Sequence, residues 1–207
     1  VDRMIVNPTK AKLGIITSGK SFEDVMQAFD NLGLTKAKAE KLGIRVYKVG
    51  LVWPMENEGA LKFAEGLDEI LVVEEKREMI EQQLKALLYR QKNQPRLTGK
   101  KDADGQDLLP IAGGHTADMV ALAIAKRIAA TCPDKAVAEQ AKYIAALNEQ
   151  TKDLTDTITR LPYYCAGCPH NTSTKLPDGS RAVAGIGCHF MVQWMNRNSN
   201  IITHMGG

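Results

Sequence analysis

Between Lys12 and about Ala130, short aliphatic runs alternate with stretches whose apolar residues return every three or four positions. Such alternation is what a layered βα sheet requires. The run Leu13–Thr17 (LGIIT) reads as a strand that Gly19 breaks. A helix starting at Ser21 then carries Phe22, Val25, Met26, Phe29 and Leu32 on one face, with Asp24 placed to complete a capping arrangement. A helical piece over Thr35–Leu42 leads into the strand IRVYKVGLV from Ile44, which Pro54 is expected to end. The segment ENEGALKFAEGL is a weaker helix. EILVV (Glu69–Val73) is a continuous apolar run of the kind a strand buried on both faces needs. In KREMIEQQLKALLYR, Ile80, Leu84, Leu87 and Leu88 form a helical stripe.

From Asn93 to Gly114 the chain is rich in Gly, Lys, Asp and Pro, and it reads as a long loop with a short strand at LLPI. His115 precedes Thr116, a suitable cap for the helix ADMVALAIAKRIA. Pro133 separates that helix from another over Asp134 to about Glu149, and NEQTKDLTDT after it reads as a linker. The expected organisation is therefore an α/β unit over 1–131, a helix and linker over 132–160, and a second unit over 161–207.

Length and charge narrow the function classes. A chain of 207 residues holds one full core and a smaller unit. The net charge of +3 is scattered, which argues against a nucleic-acid partner. No apolar run is long enough to span a bilayer, and VDRMIVNPTK lacks the apolar core of a signal peptide, so no membrane partner and a cytoplasmic location are expected.

Gly14–Ser21 satisfies the phosphate-loop pattern GxxxxGK[ST]. Register speaks against it, because Ile15 and Ile16 belong to the strand rather than to a loop, and NPTKAKL upstream is too polar to be the buried strand that such a loop follows.

Chemistry concentrates in Leu161–Gly207. Here Cys165 and Cys168 form a Cys-x-x-Cys pair in YYCAGCPHN, and Cys188 follows in GIGCHF, with Gly185 and Gly187 beside it. Thiolates two residues apart on a Gly-containing turn can face one metal centre, and the flanking glycines let a third approach. A structural zinc site would use the three cysteines with His170 or His189. An iron–sulfur cluster would need a fourth thiolate from elsewhere, since Cys132 lies across the linker. Covalent haem is excluded because Pro169 separates Cys168 from His170. Free cysteines beside a tight turn are the plain alternative.

YYCAGCPHN, GIGCHF and the terminal ITHMGG together resemble the start of the thiamine-diphosphate-binding domain of 2-oxoacid:ferredoxin oxidoreductases, with the nearest likeness to the long fused indolepyruvate type. The part before Leu161 similarly resembles the transketolase C-terminal-like connecting domain of those enzymes. This resemblance implies a three-layer α/β/α fold followed by the incomplete start of a second α/β domain. It implies thiamine diphosphate with Mg2+ and a [4Fe–4S] cluster ligated by Cys165, Cys168 and Cys188. The fourth cysteine and a GDG motif would lie after Gly207, and the pyrimidine-binding domain before Val1. His170, His204, Gly206 and Gly207 match positions near the cofactor. The implied reaction is oxidative decarboxylation of a 2-oxoacid, an arylpyruvate or indolepyruvate, to an acyl-CoA. Coenzyme A and ferredoxin would be its partners, together with the remaining domains of the same enzyme in a homo-oligomer. An isolated segment of this kind is expected to be inactive. A zinc-stabilised α/β interaction module and a phosphate-loop nucleotide-binding domain are the competing readings.

Overall fold

The computed structural model describes residues 2–155, 161–199 and 201–202. The chain divides into two compact units, Val1–Glu149 and Gln150–Gly207.

The first unit is built on a five-stranded sheet ordered β1-β3-β2-β4-β5. Its strands are β1 (Arg3–Val6), β2 (Leu13–Ser18), β3 (Ile44–Val49), β4 (Glu69–Val73) and β5 (Arg96–Thr98). All neighbours run parallel except β1, which pairs antiparallel with β3. Helices cover both faces. On one side α1 (Gly19–Asn31), α2 (Lys36–Leu42), α5 (Ala117–Thr131) and α6 (Lys135–Thr155) share a core with Leu13, Ile15, Leu71 and Val73. On the other, α3 (Asn57–Ala64) and α4 (Ile80–Leu88) pack on Ile16, Tyr47, Ile70 and Val72. The expected three-layer α/β/α class is thus observed. β4 shows why its sequence is continuously apolar rather than alternating: its odd-numbered aliphatic residues enter one core and its even-numbered ones the other.

Several element boundaries differ from the sequence reading for local reasons. Helix α1 starts at Gly19, directly off β2, so Ser21 is a buried helical residue and Ser18, not Ser21, is the N-cap. Strand β3 stops at Val49, well short of Pro54. The strand of the 93–114 stretch is Arg96–Thr98, which extends the sheet beside β4, while Leu108–Ile111 forms no strand. Helix α6 runs to Thr155 and absorbs most of the expected linker, and the division between the units falls inside it. Strand β1 leaves little signal in the sequence because four residues at a sheet edge are too few to show a period.

The cap expected at Thr116 is present, and the structure adds one at Thr35 that the sequence reading does not name. Thr35 Oγ1 accepts from Lys38 N at 3.2 Å, with Gly43 closing α2 in the left-handed region, and Thr116 Oγ1 accepts from Met119 N at 3.3 Å. A third is Asp134, whose Oδ1 accepts from Val137 N at 2.9 Å and faces Lys38 Nζ at 3.1 Å. The Val137 hydrogen bond and the Lys38 ammonium hold this carboxyl below the usual carboxylate range. A depressed native pKa adds stability that is present above the unfolded value and lost as pH falls through the native one. Asp134→Ala is therefore expected to cost about 1 kcal/mol near neutral pH. The deficit should shrink in urea titrations as pH falls through the lowered native value and the wild-type carboxyl itself becomes protonated.

Candidate functional site

In the second unit, three apolar side chains are fully buried among the described residues, Tyr164, Ala184 and Val192, with Cys168, Met191 and Met195 packed against them. Around this small nucleus lie α7 (His170–Ser173), the 3₁₀ helix Gly187–Trp194, and a parallel pair of two-residue strands, β6 (Val183–Ala184) and β7 (Ile201–Ile202).

The Cys-x-x-Cys pair sits on a tight turn. Cys168 N donates to Cys165 O at 3.0 Å, and Gly167 adopts φ +76°, the positive value that a type II turn needs at its third position. Pro169 then supplies a helical φ of −54° and opens α7 without needing a backbone donor. Asn171 Nδ2 donates to the same Cys165 carbonyl at 3.0 Å, so the turn is closed by its own backbone and by a side chain from α7.

Cys188 lies at the start of the 3₁₀ helix, immediately after Gly187 at φ +71°. Gly185 has no such requirement; its N–H donates to His189 Nδ1 at 2.8 Å, which makes that nitrogen an acceptor. The two cysteine segments meet through their histidines. His170 Nδ1 is 3.3 Å from Cys168 Sγ, its ring stacks on Tyr164 with centroids 5.1 Å apart, and it lies edge-on to His189 at 5.7 Å.

All four cysteines are free thiols. Cys165 and Cys188 are exposed and Cys168 is partly buried. Cys132 belongs to the core of the first unit, where burial pushes its thiol pKa up, so it behaves as a small apolar residue. In donor chemistry the other three suit a thiolate-ligated centre: two flank one left-handed glycine and the third follows another. The structure does not gather them, since among the described residues no three His, Cys, Asp or Glu side chains converge to hold a metal ion. His170 is placed beside a cysteine. His204, Gly206 and Gly207 lie outside the described residues.

Sequence reasoning missed Asn171, Thr174 and Arg197. Thr174 is 2% exposed, donates its hydroxyl to His170 O at 2.5 Å and accepts from Arg197 Nη1 at 2.5 Å. Arg197 stands in the polar run Asn196–Ser199, where no periodicity marks it.

The phosphate-loop match is a packing feature. Gly14 to Ser18 are all strand. A side chain at Gly14 would meet Phe63 Cζ at 2.7 Å and collide with Leu67 Cδ1. Lys20 bridges Asp24 at 2.9 Å and Glu75 at 3.1 Å and donates to His115 O at 2.6 Å, while Ser21 is buried within α1. His115 itself is 3% exposed with Nε2 on Pro110 O at 3.0 Å, a residue of the loop that leads into α5.

Residues 3–153 match a family model described as an indolepyruvate oxidoreductase domain. The chain is 29% identical over 191 residues to indolepyruvate oxidoreductase subunit IorA of Pyrococcus abyssi, covering 89% of this chain and 26% of that protein. It is also 29% identical over 185 residues to the subunit of the same name from Thermococcus kodakarensis, covering 86% and 25%. The chain thus spans about a quarter of the length of the curated relatives it matches. A solved 2-oxoglutarate:ferredoxin oxidoreductase from Magnetococcus marinus aligns with TM-score 0.44 and 20% identity, over 62% of this chain and 20% of that one.

Proposed function

Because the chain belongs to the indolepyruvate oxidoreductase domain family, we propose that it is the connecting α/β unit and the adjoining cysteine segment of a larger 2-oxoacid:ferredoxin oxidoreductase acting on an arylpyruvate. The observation that carries this reading is the pairing of a first unit that matches the family over residues 3–153 with a second unit presenting three free thiols on two adjoining turns. In this reading Cys165, Cys168 and Cys188 are three ligands of a [4Fe–4S] cluster, and a fourth thiolate comes from another part of the enzyme. His170, His204, Gly206 and Gly207 would be the residues of this chain that help to hold thiamine diphosphate and its Mg2+. Bound thiamine diphosphate supplies the carbanion chemistry of 2-oxoacid decarboxylation, and a bound cluster supplies one-electron acceptance.

This chain's residues then have three tasks. The type II turn presents two thiols from one short loop. His170 contacts Cys168 Sγ and orients that side chain. The first unit supplies a layered α/β body, and the cysteine segment follows it in sequence. Ferredoxin, coenzyme A, the 2-oxoacid and the remaining domains of the enzyme are the proposed partners, in a cytoplasmic homo-oligomer. Among the described residues no helix is long and apolar enough to cross a membrane.

The test is to purify the intact enzyme without oxygen, measure iron, acid-labile sulfide and zinc per chain, and assay arylpyruvate-dependent ferredoxin reduction with coenzyme A. Iron with matching sulfide and aromatic-substrate turnover are expected. Stoichiometric zinc without sulfide would instead support the metal-stabilised interaction module, for which the Cys168–His170 contact is the favouring observation.

A further inference from the structure

We infer that Arg197 is a positioning residue for the Cys165–Cys168 turn, fixing it through α7; the inference rests on the thiolate-ligand reading above. The connection runs through a short series of contacts. Arg197 Nη1 donates to Thr174 Oγ1 at 2.5 Å and approaches His170 O at 3.4 Å and Asn171 O at 3.3 Å. Thr174 Oγ1 in turn donates to His170 O at 2.5 Å. Thus one guanidinium nitrogen gathers the carbonyl end of α7, the end at which a cation is favoured. The rest of the guanidinium lies over the Tyr164 ring, 5.6 Å from its centroid.

The two residues whose carbonyls Arg197 approaches are those that reach the cysteines. His170 places Nδ1 on Cys168 Sγ, and Asn171 places its amide on Cys165 O. Tyr164, under the guanidinium, immediately precedes Cys165 and stacks on His170. Arg197 is therefore joined to the ligand turn from both of its ends, before Cys165 and after Cys168. Among the described residues its charge meets no carboxylate, so its partners are this hydroxyl, these carbonyls and this ring. A helix of four residues has little cooperativity of its own, and an external clamp is what keeps it formed. Lysine would keep the charge but lose the planar stacking on Tyr164.

The experiment compares wild-type, Arg197→Ala, Arg197→Lys and Thr174→Val forms of the intact enzyme, reconstituted with limiting iron and sulfide. Cluster occupancy is read from iron and sulfide content, the midpoint potential from the electron paramagnetic resonance signal of the reduced cluster, and amide exchange is followed over residues 165–174. For Arg197→Ala, occupancy about tenfold lower, a shifted potential and faster exchange over 165–174 are expected. Arg197→Lys should recover occupancy part-way, and Thr174→Val should show a smaller loss in the same direction. Wild-type enzyme lacking iron and sulfide would overturn the ligand reading itself. Loaded wild type with an Arg197→Ala form equal to it in occupancy, potential and exchange would overturn the role of Arg197 alone. Should the Ala form not fold, Thr174→Val decides on the same readouts, and identity with wild type overturns the inference.

Discussion

Replacing Cys165, Cys168 or Cys188 with Ala in the intact enzyme is expected to abolish ferredoxin reduction and to remove most of the iron and acid-labile sulfide. A cluster deprived of one thiolate loses its geometry or its place in the protein. The two members of the turn should behave alike, because Cys168 N and Asn171 Nδ2 both bond the Cys165 carbonyl and neither thiol is placed independently of the other. Release of carbon dioxide from the 2-oxoacid should suffer less, as the carbon–carbon cleavage does not itself need an electron acceptor. Cys132→Ala is the control. Its side chain lies in the core of the first unit, so iron content should stay at the wild-type level even where stability falls. Iron retention by all three single variants would overturn the ligand assignment.

The chemistry of this site is legible in sequence because ligand type and spacing are written locally. Two cysteines flanking Gly167, and a third after Gly187, can be read without knowing the fold, and both glycines adopt the left-handed conformation. What holds the turn was not legible. Asn171, Thr174 and Arg197 act through hydrogen bonds to backbone carbonyls, and a carbonyl's position depends on a tertiary arrangement that residue type does not encode. Gly185 shows the opposite error: proximity to Cys188 suggested a conformational role, yet its contribution is an N–H to His189.

In the first unit, β2, β4 and the apolar faces of α1, α4 and α5 were readable because burial imposes period and continuity on many residues at once. Strands β1 and β5, of four and three residues at the sheet edges, bury too little to leave a pattern. Register argues against the phosphate-loop motif, and its first glycine is room for Phe63 and Leu67. A motif match and a packing requirement can select the same residue, and strand register separates them.

The largest stability effect is expected at a pair that no motif marks. Glu69 opens β4 and is 1% exposed, which the apolar run EILVV conceals. Its Oε1 lies 2.9 Å from Arg127 Nε and accepts from Thr98 Oγ1 at 3.1 Å, while Oε2 is 3.8 Å from Arg96. Arg127 comes from α5 and is 6% exposed, so one carboxylate ties β4 to β5 and to a helix of the outer layer. Removing one partner leaves the other charge buried without its counterpart, and Arg127→Met is accordingly expected to cost about 3–5 kcal/mol in urea unfolding followed by circular dichroism. Because the pair is shielded from solvent, the loss should persist in 1 M salt, where the Debye length is about 3 Å. Replacing both partners with apolar residues, Glu69→Leu with Arg127→Met, should recover much of the loss, since neither desolvated charge then remains. The exposed Lys101–Asp107 pair gives the contrast: its removal should change stability by no more than about 1 kcal/mol. An Arg127→Met protein within about 1 kcal/mol of wild type would mean that Thr98 and Arg96 alone satisfy the Glu69 carboxylate, and that the buried pair does not hold α5 to the sheet.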